Sequence, residues 1–201
     1  MITANHCNNI FTNCIEQYHI NDTVDQKIVN PYLDRDIDHL LYQKCWIDTV
    51  QWHFEDLIRN PEIDPTKGMT LKRLIDVSNQ HRTDMVEQID DFFLSQFNEV
   101  RADAQATINT ESPAWAIDRM SILALKIYHM QEQAARKNVD DAHVHKISVK
   151  LNILKDQQQD LSTSFDELLK DISFGKRIMK VYRQMKLYND PSTNPVLYKN
   201  K

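Results

Sequence analysis

One arginine sits where a helix calls for an apolar residue. Taking about 100° per residue, a helix over 67–100 places Leu71, Ser78, Met85, Ile89, Phe92 and Phe93 within one arc, and Arg82 lies near its middle with Asn79 beside it. A cation so placed must be buried or half-buried and must find a partner, because an unpaired charge is strongly disfavoured in low dielectric. A helix over 113–137 offers candidates: opposite its apolar arc of Ile117, Met120, Leu123, Ala124 and Ile127, the residues Asp118, Arg119, Ser121, Lys126 and His129 stand among Trp115, Ile122 and Leu125. A third helix, 34–59, carries a narrow polar stripe of Lys44, Asp48, Gln51, Glu55 and Arg59 bordered by Leu41, Cys45 and Trp52. Glu55/Arg59 and Lys44/Asp48 are i, i+4 pairs, worth only a few tenths of a kcal/mol where exposed.

Convergence of these stripes would make a cationic pocket between helices, able to hold a phosphate or carboxylate with arginine forks. In that reading Arg82, Arg119 and Lys126 clamp charge, Asn79, Glu55 and Arg59 complete the binding surface, Asp118 orients the cations and His129 serves as acid or base, its ordinary pKa lying near neutrality. The other reading of the same residues is a structural salt-bridge network that sets helix register in a scaffold or adaptor.

Other chemistries find less support. With two glycines, Gly68 and Gly175, the chain has no phosphate loop or dinucleotide fingerprint, and no HExxH, GxSxG or Cys/His triad pattern occurs. Glu16/His19, Asp36/His39 and Asp140/His143 set a carboxylate and an imidazole at i, i+3, the spacing used in di-metal bundles. All three fall near helix ends, so no metal site is assigned, His143/His145 included, and the sequence names no cofactor. The acidic row Asp84, Glu87, Asp91 lies on a face without hydrophobics and reads as solvated. Cys7, Cys14 and Cys45 are expected as free buried thiols.

The elements that position these residues are helical throughout, since no stretch shows sustained strand alternation. The expectation is an all-α, elongated bundle of five or six helices. A first helix over 3–19 carries Ala4, Cys7, Phe11, Cys14 and Tyr18, and Asn60-Pro61 with Asp64-Pro65 closes the second. Ser112 as N-cap with Pro113 at the first helical position opens the fourth, and Asp140 or Asp141 caps the fifth. That fifth helix repeats Ile147, Leu151, Leu154, Gln158, Leu161, Phe165, Leu168 and Ile172 at 4-3-4-3 spacing, the seam of a coiled-coil-like pairing. The seam could pair within the chain or, through 144–172, with a protein partner or a second copy. At Gly175 a sixth helix, carrying Met179 and Tyr182, either continues the fifth or turns. The domain expectation is a single bundle over 1–188 and an extended arm over 189–201.

Net charge is −5, yet residues 170–201 hold eight Lys/Arg against Asp171 and Asp190, leaving a body near −11 and a tail near +6. A basic tail suits an anionic partner and equally suits its own helix C-terminus; nucleic acid is not the expected partner. No signal peptide or spanning segment is recognisable, so the expected location is the cytoplasm.

Several blocks are long enough to be specific: Asn30-Pro31-Tyr32, the run from Trp46 through Asp56 (WIDTVQWHFED), Asn79-Gln80-His81-Arg82-Thr83-Asp84, the run from Ile117 through Met130 (IDRMSILALKIYHM), and, near the end, Tyr188-Asn189-Asp190-Pro191 and Asn194-Pro195-Val196-Leu197-Tyr198. Together they resemble domain-of-unknown-function family 4254, a bacterial family, with Ser112-Pro113-Ala114 standing where Thr-Pro-Gly is expected. The resemblance implies a cytoplasmic bacterial protein associated with envelope polysaccharide synthesis, a setting that suits a sugar phosphate or nucleotide sugar as the anion. It brings no catalytic residue with it.

Overall fold

A computed structural model describes residues 2–187 and 190–199. The expected domain boundary at 188/189 and the ends of the arm lie outside the described residues. Among the described residues six helices form, in the order α1 (Ala4–Tyr18), α2 (Ile37–Ile58), α3 (Pro65–Gln96), α4 (Pro113–Ala134), α5 (Asp141–Ser173) and α6 (Pro195–Tyr198). Among the described residues the only extended pairing is an isolated parallel bridge between Thr107 and Arg177.

Local chemistry accounts for most of the helix ends. Ser112 Oγ accepts from the Trp115 N–H with Pro113 just inside, and Asp140 caps α5 through the His143 N–H. The Asp64-Pro65 pair, read from sequence as closing the second helix, instead starts α3: Asp64 accepts from the N–H groups of Thr66 and Lys67 and Pro65 takes the first helical position. α2 begins at Ile37, three residues later than expected, because Arg35 adopts a left-handed φ of 74° that no helix can contain.

Gly175 ends α5 in the left-handed region, φ 73°, where a Cβ would collide with the Arg101 carbonyl oxygen. The chain beyond it is not the expected sixth helix. It runs extended, pairing with the loop before α4 through Thr107 N–H to Lys176 O at 3.2 Å and Ile178 N–H to Thr107 O at 2.9 Å. The sixth helix is the single turn 195–198, inside the segment expected to be an extended arm.

α2 packs along α3, α4 packs along α5, and α1 touches α2, α4 and α5, so α1, α2 and α4 enclose the centre. The core joins Phe11, Cys14, Tyr18, Leu41, Trp46, Ile89, Phe93, Ile117 and Phe165. The 4-3-4-3 seam of α5 is its covered stripe, with Ile147, Phe165 and Ile172 buried and Leu151, Leu154, Gln158, Leu161 and Leu168 half-buried. Phe165 and Ile172 of this stripe, with the adjacent Leu169, join the core of the same chain. The three cysteines are free and buried.

Candidate functional site

The polar stripes of α2, α3 and α4 meet in the middle of the bundle. Asp48 and Lys44 are one turn apart on α2, Arg82 is the anomalous cation of α3, and Asp118 and Ser121 face them from the first turns of α4. Lys44 is fully buried; its Nζ donates to Asp48 Oδ2 and pairs with Asp118 Oδ1 at 2.7 Å. Arg82 Nη2 reaches both oxygens of Asp118 at 3.0 Å, while Nε lies 3.1 Å from Asp48 Oδ1. Ser121 Oγ donates to Asp48 Oδ2 at 2.6 Å. Two cations therefore answer two anions, and the group is neutral as a whole.

The two carboxyls respond differently to the same neighbours. Burial raises Asp48 above the usual carboxylate range despite the pull of Lys44 and Arg82. Burial pushes Asp118 the same way, but Lys44, Arg82 and their hydrogen bonds outweigh it and leave that carboxyl lowered. The difference follows from burial and bonding: Asp48 lies deeper, feels Asp118 as a like charge and takes no hydrogen bond from Arg82, whereas the guanidinium bonds Asp118 through both oxygens.

Arg82 alone of the four is not closed in: a quarter of its side chain is exposed. It lines a cleft of about 290 Å³ between α2 and α4 together with Asp48, Trp52, Glu55, Arg59 and Ile122. On its other side it lines a second opening, about 330 Å³, with Asn79, Thr83, Trp115, Asp118 and Lys186. Gln51 braces the first cleft, accepting from Ser78 Oγ at 2.9 Å and donating to Asn79 Oδ1 at 2.8 Å.

Of the residues expected to converge, Arg82 and Asp118 do, Glu55 and Arg59 line the cleft, and Asn79 stands at the neighbouring opening. Arg119 and Lys126 do not join them. Arg119 is turned to the surface, where its Nε donates to Glu111 Oε2 at 2.8 Å, and Lys126 is exposed. Asp118 and His129 are eleven residues apart on α4, roughly 16 Å at 1.5 Å per residue, too far to act on one atom. The cationic pocket of the sequence reading is thus a charge-balanced one.

Lys44 and Asp48, an i, i+4 pair whose worth turns on exposure, are the deepest charged members of the group; their flanking Leu41 and Cys45 are the signal. The acidic row of α3 is not simply solvated: Arg183 donates to Asp91 and to the Glu87 carbonyl, and the Gln184 N–H donates to Glu87 Oε1 at 2.9 Å, which docks the basic C-terminal segment on α3.

His129 belongs to a different cluster. Its ring lies with those of His19, at the end of α1, and His53, on α2, and one nitrogen of each falls within 4.8 Å of the others. Sequence reasoning set His19 beside Glu16 and passed over His53, since residues from three separate helices share no spacing. Trp52 separates this cluster from the cleft: it lines the cleft and stacks on His129 with centroids 4.9 Å apart.

The family described as "Protein of unknown function (DUF4254)" matches residues 38–181, a stretch that holds Lys44, Asp48, Arg82 and Asp118. No curated protein and no solved structure matches the chain. No helix among the described residues is long and apolar enough to cross a membrane.

Proposed function

The chain belongs to the DUF4254 family, and we propose that it binds a small anion-bearing metabolite in the cleft between α2 and α4. One observation carries this reading: two guanidiniums, Arg82 of α3 and Arg59 at the C-cap of α2, line one cleft of about 290 Å³ that also offers an indole wall. Arg82 is held from below by Asp48 and Asp118, so its outer edge is presented without the entropy loss a free arginine would pay on binding. Arg59, two-thirds exposed and paired with Glu55 at 3.1 Å, can turn to a phosphate. Trp52 supplies a flat apolar face for a sugar or base, and Glu55 and Gln51 supply acceptors and donors for hydroxyls. Phosphorylated sugars and nucleotide sugars, the metabolites of envelope polysaccharide synthesis, lead the list of ligands, and a cytoplasmic location goes with them.

The test is thermal unfolding against a panel of sugar phosphates, nucleotides and nucleotide sugars, with Trp52 emission as a second readout. At least one compound should raise the midpoint of the wild type, and Arg59→Gln, which touches no buried group, should weaken that rise while leaving the unliganded midpoint unchanged. A flat response across the panel, or equal responses in both proteins, sinks the proposal.

A second reading has its own support. Lys44, completely buried between two aspartates, is a register lock for α2 against α4, and a scaffold would need nothing more. In that case Lys44 variants lose stability and no compound in the panel shifts the wild type.

A further inference from the structure

The three imidazoles at the end of the bundle are arranged in a way that packing alone does not explain. His19 Nδ1 donates to the Ile15 carbonyl at 2.7 Å and His129 Nδ1 donates to Glu132 Oε2 at 2.8 Å. A carbonyl or a carboxylate can only accept, so both rings carry their proton on Nδ1 and, when neutral, turn a bare Nε2 lone pair inward. His53 Nε2 stands 3.3 Å from His19 Nε2. One proton on His53 settles that contact, but nothing settles the third nitrogen: His129 Nε2 is buried without a hydrogen-bond partner.

The faces of the rings are fixed as well. Trp52 stacks on His129 (4.9 Å, 14°), Tyr18 on His53 (5.1 Å, 12°) and Tyr128 on His19 (4.3 Å, 30°). Each imidazole thus has a larger ring on its face, and two of them have an acceptor behind Nδ1. These are the supports found around metal-ligating histidines, whose outer N–H is bound to a carbonyl or carboxylate within an apolar shell.

We propose that His19, His53 and His129 form a three-imidazole site for a late first-row divalent metal ion, with zinc as its natural occupant. At metal–nitrogen distances of 2.0–2.1 Å, tetrahedral ligands stand about 3.4 Å apart, close to the separation already held by His19 and His53. Imidazole donors without thiolates suit zinc, nickel and copper over calcium or magnesium. Asp22 stands beside two of the rings, its Oδ1 3.5 Å from His53 Nε2 and 3.9 Å from His19 Nε2. Asp22 and His53 also line a cavity of about 470 Å³ that includes Asp25 and Asp56, so the approach is acidic and draws cations inward.

The experiment uses the full chain, stripped with a chelator and titrated with cobalt(II) and then zinc. Wild type should take up one cobalt per chain with the intense visible absorption of a tetrahedral ion, and zinc should displace it. His53→Gln and His129→Gln, each confirmed folded by circular dichroism, should bind at least about 100-fold more weakly. Glu132→Gln, acting through the His129 ring, should lose roughly 10- to 100-fold, while the exposed pair His81→Gln/His145→Gln should bind like wild type. Arg59→Gln should leave the metal unaffected, which keeps this result separate from the cleft. A faint octahedral cobalt spectrum, or wild-type affinity in both His53→Gln and His129→Gln, overturns the proposal.

Discussion

Replacing Lys44 by methionine probes the buried charge group most directly, because the substitution keeps the volume and removes only the ammonium. At an effective dielectric of about 20, the 2.7 Å approach of Nζ to Asp118 Oδ1 is worth about 6 kcal/mol of gross attraction, and the contact with Asp48 adds to it. Most of that gain is offset by desolvation of the three ions. What the variant loses is the answer to two buried carboxylates that then share Arg82 alone, and breaking such a group costs about 3–5 kcal/mol. For a chain of this length that lowers the unfolding midpoint by roughly 6–20 °C. Removing an opposite charge with it should restore most of the loss: Lys44→Met/Asp48→Leu leaves Arg82 and Asp118 as a bidentate pair and should fall within about 2 kcal/mol of wild type. Urea unfolding followed by circular dichroism, run as a double-mutant cycle, measures both. A loss under about 1 kcal/mol for Lys44→Met, or a double variant as weak as the sum of its single changes, would refute the coupling.

Other parts of the molecule make their own predictions. The Asp118 carboxyl is lowered in the folded chain, so its stabilising contribution is full above the unfolded value of about 3.9 and is lost as pH falls through the folded value; the stability gap between wild type and Asp118→Asn, measured in urea at stepped pH, should narrow only at the acid end. The two glycines should answer in opposite directions. Gly175→Ala meets the Arg101 carbonyl at a positive φ and should cost about 2 kcal/mol or more, whereas Gly68→Ala meets nothing nearer than Ile63 Cγ2 at 3.8 Å and should gain about 0.5–1 kcal/mol; calorimetry of the two variants reads both signs. Trp52→Leu removes the wall shared by the cleft and the imidazole cluster, so it should weaken metabolite response and cobalt affinity together, whereas Arg59→Gln and His53→Gln each weaken one.

Most of the helical frame could be read from the chain because caps and prolines act locally. Ser112-Pro113 and Asp140 mark starts that depend on nothing beyond the next three residues. Asp64-Pro65 obeys the same rule, with Asp64 as cap and Pro65 as the first helical residue, although a proline after a helix equally signals a stop. Arg35 and Gly175 were harder, since a left-handed residue leaves no periodic trace, and the close approach of Arg101 to Gly175 is a tertiary fact. Arg82 betrayed itself by lying on an apolar face, and Asp118 by standing among Trp115, Ile122 and Leu125. Lys44 and Asp48 gave the same kind of signal more weakly. Arg119 occupies the next position to Asp118 on α4, and that one step of about 100° turns it to Glu111 and the surface. A helical wheel places both on the same mixed face, which is why their fates could not be separated without α2 and α3 in place.

The imidazole cluster shows a different limit. No window of sequence contains His19, His53 and His129, and each alone resembles an ordinary histidine at or near a helix end. What brings them together is the geometry that also builds the charge group. On α4, Asp118, Ile122, Leu125 and His129 follow one another at four- and three-residue steps along a single stripe; Asp48 of α2 joins Asp118 in the charge group, and Trp52, one turn further along α2, stacks on His129. Between these contacts Ile122 and Leu125 line the cleft with Trp52. A slip of α2 by one turn against α4 would part Lys44 from Asp118 and, with it, carry Trp52 off His129. The charge group, the cleft beside it and the Trp52–His129 contact therefore share one packing of α2 against α4.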